Sequence, residues 1–452
     1  MVQGPLLLVI LVAAIVFIVL ATSKFKLHPF IAILVAAYGI GLTARMPIMD
    51  IDKTISQGFG GILAYIGIVI ILGTIIGTIL EKSGAAVTMA DTVLRVVGKK
   101  RPALAMSIIG YIVSIPVFCD SGYVILSSLK KSLGKKAGVS AVTMSIALAT
   151  GLYATHTLVP PTPGPIAAAG NLGLEDQLGI VILYGLGISV VTVAVGYLWA
   201  SFIGKRVTSG EDNEPLEMDE TAIREQYGKL PGVFKAFAPI CIPIILIAFA
   251  SVVGFPSKPL GEGLLAQGIL FFGRPVNALL VGFGFALLLL PGFNKETLTD
   301  WIGEGLKAAA VIIMITGAGG ALGAILNATP IGNYLGQTLS GINMGIVLPF
   351  IIAAALKTAQ GSSTVALVTT SALVAPLLTT LGLDSDTGRV LTVMAIGAGA
   401  MTVSHANDSF FWVVTQFSKM DVSTAYKSHT VATLIQGLAT AVVVVILSVI
   451  LL

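Results

Sequence analysis

Residues 99–136 read KKRPALAMSIIGYIVSIPVFCDSGYVILSSLKKSLGKK, and this stretch decides the fold. Between 102 and 129 the only charge is Asp120, near the middle. Both flanks are basic: Lys99, Lys100 and Arg101 before it, and Lys130, Lys131, Lys135 and Lys136 after it. Lys and Arg in short membrane loops stay on the cytoplasmic side. One straight helix over 102–129 would be about 42 Å long and would carry one basic flank across the bilayer. A re-entrant hairpin satisfies both constraints, with halves at 102–116 and 122–133 and a tip at Cys119-Asp120-Ser121-Gly122. Non-helical backbone at membrane depth exists only where it is buried or lines a cavity. Topology alone therefore makes the tip a candidate site.

The rest of the chain supports a membrane reading. Of 452 residues 56% are hydrophobic and 11% charged, with 26 Lys+Arg against 22 Asp+Glu. Soluble domains carry about 25% charged residues, so a soluble enzyme and a disordered chain are excluded. A net charge of +4, thinly spread, excludes nucleic acid as a partner. Cys119 and Cys241 make no disulfide framework and no metal cluster. No Walker motif and no His-Glu-x-x-His is present, and no cofactor or metal is called for. Long uncharged runs point to an all-α polytopic protein and not a barrel.

Charge gaps place spans at 5–22, 29–44, 58–80, 178–204, 236–256, 275–291, 308–327, 389–405 and 429–452. The uncharged run 137–174 supplies another, broken at its far end by Pro160, Pro161, Pro163 and Pro165. With the basic loops inside, both termini lie outside. Residues 205–235, acidic in the middle and basic at both ends, read as a cytoplasmic tether.

The second half restates the features of the first in order. Ile75-Ile76-Gly77-Thr78-Ile79-Leu80 resembles Ala321-Leu322-Gly323-Ala324-Ile325-Leu326, and the Asp120 tip has its counterpart at Gln360-Gly361-Ser362-Ser363-Thr364. That second tip splits a hairpin at 345–381. Thr155-His156 is echoed by Ser404-His405. The domain organisation expected is a repeat over 1–204 with hairpin 102–133, the linker, and a repeat over 236–452 with hairpin 345–381. Each repeat holds five spans and one hairpin. Five is odd, so the second repeat is inverted, and inverted repeats with broken helices meeting at the midplane describe a secondary transporter.

Chemistry is expected at the tips and breaks. Desolvation disfavours a charged carboxyl, which makes Asp120 a proton carrier or a counter-ion for a cation; its other reading is a cap for the helix from Gly122 onward. Ser121, Gly361, Ser362, Ser363 and Thr364 offer hydroxyls and free N–H groups for an anion. Lys357 is either a snorkelling lysine or a counter-charge for a substrate carboxylate or a nearby Asp. Asp408 couples ions or caps the half-helix from Ser409. Thr155, His156, Thr162, Gln360, His405 and Asn407 complete the candidate substrate-binding set. These clusters contain no Arg for bidentate carboxylate capture, which disfavours di- and tricarboxylates.

At Ile115-Pro116-Val117-Phe118-Cys119-Asp120-Ser121-Gly122, at Ala154-Thr155-His156 with Val159-Pro160-Pro161-Thr162-Pro163-Gly164-Pro165, at Lys357-Thr358-Ala359-Gln360-Gly361-Ser362-Ser363-Thr364, and at Ser404-His405-Ala406-Asn407-Asp408-Ser409, the chain resembles the gluconate permease family within the ion-transporter superfamily. The resemblance runs over nearly the whole chain. It implies uptake of gluconate or a related sugar acid with protons across a bacterial inner membrane. Relatives carry idonate, fructuronate, glycerate or D-serine. It further implies a homodimer in the lipid bilayer, in which a transport domain slides against a scaffold as an elevator. The rival readings are a sodium-coupled carboxylate carrier, a channel and a membrane-embedded enzyme. The channel is disfavoured by the repeat, the enzyme by the lack of a nucleophile, base and orienting group.

Overall fold

The computed structural model describes residues 2–98, 101–115, 117–213, 227–253, 260–261, 263–331, 334, 345–405 and 408–452; within helices it leaves the side chains of Ser121, Lys136 and Gln360, among others, undescribed. Asn407 and the linker acids from Glu214 to Glu220 lie outside the described residues. The described chain is all helical. In the first half run α1 Leu6–Ser23, α2 Pro29–Thr43, α3 Ile48–Lys82, α4 Ala85–Val97, α5 Pro102–Val113, α6 Cys119–Ala137, α7 Ala141–Leu158, α8 Pro163–Asn171 and α9 Leu178–Ile203. In the second run α10 Val233–Val253, α11 Leu264–Phe272, α12 Pro275–Leu287, α13 Ile302–Ala328, α14 Val347–Gln360, α15 Ser363–Val374, α16 Asp386–Met401, α17 Ser409–Phe417 and, after a π-helical turn at Tyr426–Thr430, α18 Val431–Leu451.

Local chemistry sets the breaks. Ser140 caps α7, accepting from the Thr143 N–H at 3.4 Å. The helix stops at Leu158 because the prolines that follow cannot donate to it, and Pro163 reopens the chain as α8 from the first helical position, where no donor is needed. Ser385 caps α16 in the same way, accepting from Gly388 N–H at 3.1 Å. The chain leaves that helix at Thr402 and restarts at Ser409.

Among the described residues four stretches are long and apolar enough to cross a membrane: 141–171, 175–203, 296–326 and 422–451, with two more if the bent pairs within α3 and at α11–α12 each count as one. The 141–171 stretch is wholly enclosed by protein, whereas only 22% of the 422–451 window is buried. The centre of the molecule is thus α7, whereas α18 lies at its edge, with Val449 and Ile450 exposed.

Several expected boundaries change. The span at 58–80 is part of α3, which starts at Ile48 and includes Asp50, Asp52 and Lys53, because a helix continues through charges once it leaves hydrocarbon. The first hairpin's halves are 102–113 and 119–137, since α6 continues through the lysines to Ala137. The span at 389–405 ends at Met401.

Packing follows a regular plan. α5 lies on α7 and α7 on α9; α14 lies on α16 and α16 on α18. α6 packs on α17, and α15 on α8. α2 lies on α13, and α12 on α3. The halves also meet where α3 packs on α13, α7 on α16, and α9 on α18. The α5–α7 seam is close enough that a Cβ on Gly151 would run into the Ser107 carbonyl, so glycine is required there.

Candidate functional site

The start of α6, the turn between α14 and α15 and the α16–α17 break meet in one hydrogen-bonded cluster. Lys357, in the last turn of α14, is fully buried, and its Nζ lies 2.6 Å from Asp408 Oδ2. The same ammonium donates to the Gly361 carbonyl. Gly361 ends α14 with φ 91°, a left-handed conformation that favours glycine, and so turns the chain into the next arm. Ser362 then caps α15, accepting from Val365 N–H at 3.3 Å.

Asp408 is loaded on both oxygens. Its Oδ1 accepts the Phe410 N–H at 3.1 Å and caps α17. Its Oδ2 accepts the Ser404 hydroxyl at 2.5 Å and lies 3.5 Å from the Tyr153 hydroxyl. Because Ser404 Oγ gives its proton to Asp408, its oxygen is left to accept from His429 Nε2 at 3.1 Å. His429 therefore carries its proton on Nε2. His405 Nε2 faces the Thr358 carbonyl at 2.8 Å, which likewise requires an Nε2–H, and this bond ties the break to α14.

Asp120 lies beside this saturated pair. Its Oδ2 accepts the Ser409 hydroxyl at 3.1 Å, while its Oδ1 is buried with no hydrogen-bond partner among the described residues. Asp408 and Ser409 are consecutive, so one polar path runs from Asp120 through the break to Lys357 and Gly361. An aromatic wall encloses it: Tyr153 stacks on Phe410 at 5.1 Å and on His156 at 6.3 Å, and Phe118 lies 6.0 Å from His156.

Several expectations change here. Asp120 is not a cap: Phe118 takes that position, and Asp120 sits in the first turn of α6, at the positive end of the helix dipole. The snorkelling reading of Lys357 fails, because its ammonium is inside the protein. Asp408 both caps a helix and pairs with a cation. Gly122 is a packing position, where an added Cβ would meet Leu152 at 2.8 Å. Thr155 and Thr162 give their hydroxyl protons to the Tyr111 carbonyl at 2.9 Å and the Val159 carbonyl at 2.5 Å, so neither is a free donor. His156 lies in the last turn of α7, whereas His405 follows the end of α16, so the two occupy unlike local structure. Ser363 is buried in the first turn of α15, and Thr364 beside it is half-buried. The side chains of Ser121 and Gln360, and all of Asn407, fall outside the described residues. Sequence reasoning missed Tyr153, Ser404, Ser409 and His429; Ser404 and Ser409 flanked Asp408 and were visible.

A second buried ion pair lies at the far end of α6. Lys130 is fully buried, with Nζ 2.7 Å from Glu211, 3.0 Å from Ser145 Oγ and 3.1 Å from Ser418 Oγ. Ser418 also bonds the Tyr123 hydroxyl at 2.5 Å. The neighbouring Asp212 accepts from the N–H groups of Ala141 at 2.7 Å and Ser209 at 2.9 Å. This corrects two expectations. Lys130 is not in a basic loop, and the linker's first residues are not a tether but a clamp across α6, α7 and the end of α17.

The fold and the buried charge cluster at broken helices define a multi-pass, all-helical membrane protein of the transporter class. The chain belongs to the GntP family of permeases, whose family model matches residues 6–450. It is 34% identical to a gluconate permease of Pseudomonas aeruginosa, over 99% of this chain and 98% of that one. It is 33% identical to the D-serine transporter DsdX of Escherichia coli, over 94% of each. Among solved structures it is similar to MtrF of Neisseria gonorrhoeae, with TM-score 0.62, 15% identity and coverage of 88% and 84%; that likeness concerns the fold alone.

Proposed function

We propose that the protein takes up gluconate or a related sugar acid together with protons across a bacterial inner membrane, by elevator-type alternating access between two inverted repeats of a homodimeric carrier. Relatives named for gluconate and for D-serine support a small hydroxylated carboxylate as substrate. The paired packing supports the repeats. If the halves 1–204 and 236–452 are related by a two-fold axis in the membrane, each contact has a twin. α5–α7 matches α14–α16, α7–α9 matches α16–α18, α6–α17 matches α15–α8, and α2–α13 matches α12–α3. Self-matched pairs α3–α13, α7–α16 and α9–α18 then meet on the axis.

The observation that carries proton coupling is Asp120. Asp408 already has Lys357 as its counter-charge, but among the described residues Asp120 has only a hydroxyl on one oxygen and no partner on the other. An uncompensated carboxylate is costly in the membrane. A proton satisfies it and offsets the charge of an entering anion. Ser363 and the N–H groups at the α15 N-terminus supply the anion's donors.

The test is uptake of labelled gluconate by vesicles containing the purified protein, driven by an inwardly directed proton gradient. Accumulation abolished by collapsing the gradient, and competed by sugar acids or D-serine but not by dicarboxylates, is expected. Gradient-independent equilibration, or no uptake of any of these acids, rejects the proposal.

A further inference from the structure

The Lys357 ammonium sits where a monovalent cation would be held. Its nitrogen is enclosed by one carboxylate oxygen, Asp408 Oδ2 at 2.6 Å, and by the backbone carbonyl of Gly361, the residue at which the helix ends. The Tyr153 ring lies 5.9 Å from it, and the hydroxyls of Tyr153 and Ser404 converge on the same Oδ2. Carboxylate, unwound carbonyl and hydroxyl oxygens where helices break are the donors with which membrane carriers hold sodium. Here the charge arrives on a side chain, and the side chain is fully buried.

We infer that the Asp408 carboxylate, braced by the Ser404 and Tyr153 hydroxyls, and the Gly361 carbonyl form a monovalent-cation site whose permanent occupant is the chain's own Lys357 ammonium. The tethered ammonium neutralises Asp408 and holds the second hairpin against the α16–α17 break, a task that a bound ion would otherwise perform. Two consequences follow. Wild-type transport needs no sodium, because the site is filled. Removing the ammonium leaves Asp408 buried and unpaired, and a small cation from solution then takes its place. The first consequence rests on the symport proposal; the second concerns the site alone and is tested without substrate.

The experiment is thermal unfolding of purified full-length Lys357→Ala, with sodium chloride replacing choline chloride at constant ionic strength and no sugar acid present. A ligand that binds only the folded state raises stability with the logarithm of its concentration. The midpoint of Lys357→Ala should climb steadily with sodium and with methylammonium, the truncated equivalent of the lysine head. Tetramethylammonium, too large for the site, should do nothing. The midpoint of the wild type should not move with sodium. The double variant Lys357→Ala/Asp408→Asn removes both charges and should lose the response. The inference is overturned by a wild type as sodium-responsive as the variant, by a folded Lys357→Ala indifferent to both small cations, or by a response that survives in the double variant. Should Lys357→Ala not fold in any salt, wild-type vesicles decide: sodium-dependent gluconate accumulation at fixed pH overturns the inference, and accumulation unchanged in sodium-free medium supports it. Absence of gluconate uptake under every condition would reject the symport proposal and leave the unfolding result standing.

Discussion

Glu211→Ala should destabilise the protein far more than a linker residue has any right to. In the native structure Lys130 Nζ is fully buried, 2.7 Å from Glu211. After the substitution it keeps only neutral partners: Ser145 Oγ at 3.0 Å, Ser418 Oγ at 3.1 Å and the Phe417 carbonyl at 3.5 Å. Removing one member of a buried pair strands the other charge and costs about 3–5 kcal/mol. An exposed pair is worth at most about 1 kcal/mol, so the two descriptions of the linker are well separated. Removing both charges, as in Lys130→Met/Glu211→Ala, should cost much less than Glu211→Ala or Lys130→Met alone, because no stranded charge remains. Reversible unfolding in mixed micelles gives all four free energies of the cycle. A loss below about 1 kcal/mol for Glu211→Ala, or a double variant as unstable as the sum of the singles, would refute the clamp.

Gly361→Ala places a Cβ at φ 91° and should cost about 1–2 kcal/mol, with slower uptake because the carbonyl facing Lys357 shifts; wild-type stability and rate would contradict the role given to this turn. Single cysteines placed at Lys99 and Lys136 should be labelled from the same side of the membrane, the cytoplasmic one. Labelling from opposite sides would remove the first hairpin. Cysteines at both termini should react from outside; reaction from inside would reverse the assigned orientation.

Much of this architecture is written in charge placement. The basic flanks of 102–129 call for a break between them, and it falls between Val113 and Cys119; the prolines after Thr157 stop α7, and the chain breaks at 159–162. Lys357 was legible as a counter-charge for a substrate carboxylate or a nearby Asp, but not which Asp, since 51 residues separate it from Asp408 and only tertiary packing brings them to 2.6 Å. Lys130 was misread because its neighbours Lys131, Lys135 and Lys136 suggest a loop. The signal against that was helical spacing: Tyr123, Leu126, Lys130 and Leu133 fall on one stripe, and that stripe is buried. His429 gave no such signal. It precedes an apolar run, and its bond to Ser404 depends on how α18 returns to the break. The linker acids looked alike in sequence; what distinguishes Glu211 is a lysine on another helix.

The account stands most directly on Asp120, and one measurement addresses it. Asp120→Asn mimics the protonated acid, so the variant should exchange labelled for unlabelled gluconate across vesicles while failing to concentrate it under a proton gradient. Ser409 can still bond the amide, so the local geometry is kept. Exchange without accumulation is the predicted result. An Asp120→Asn protein that concentrates gluconate to the wild-type ratio, with its pH dependence intact, would contradict the account and move proton coupling away from this tip.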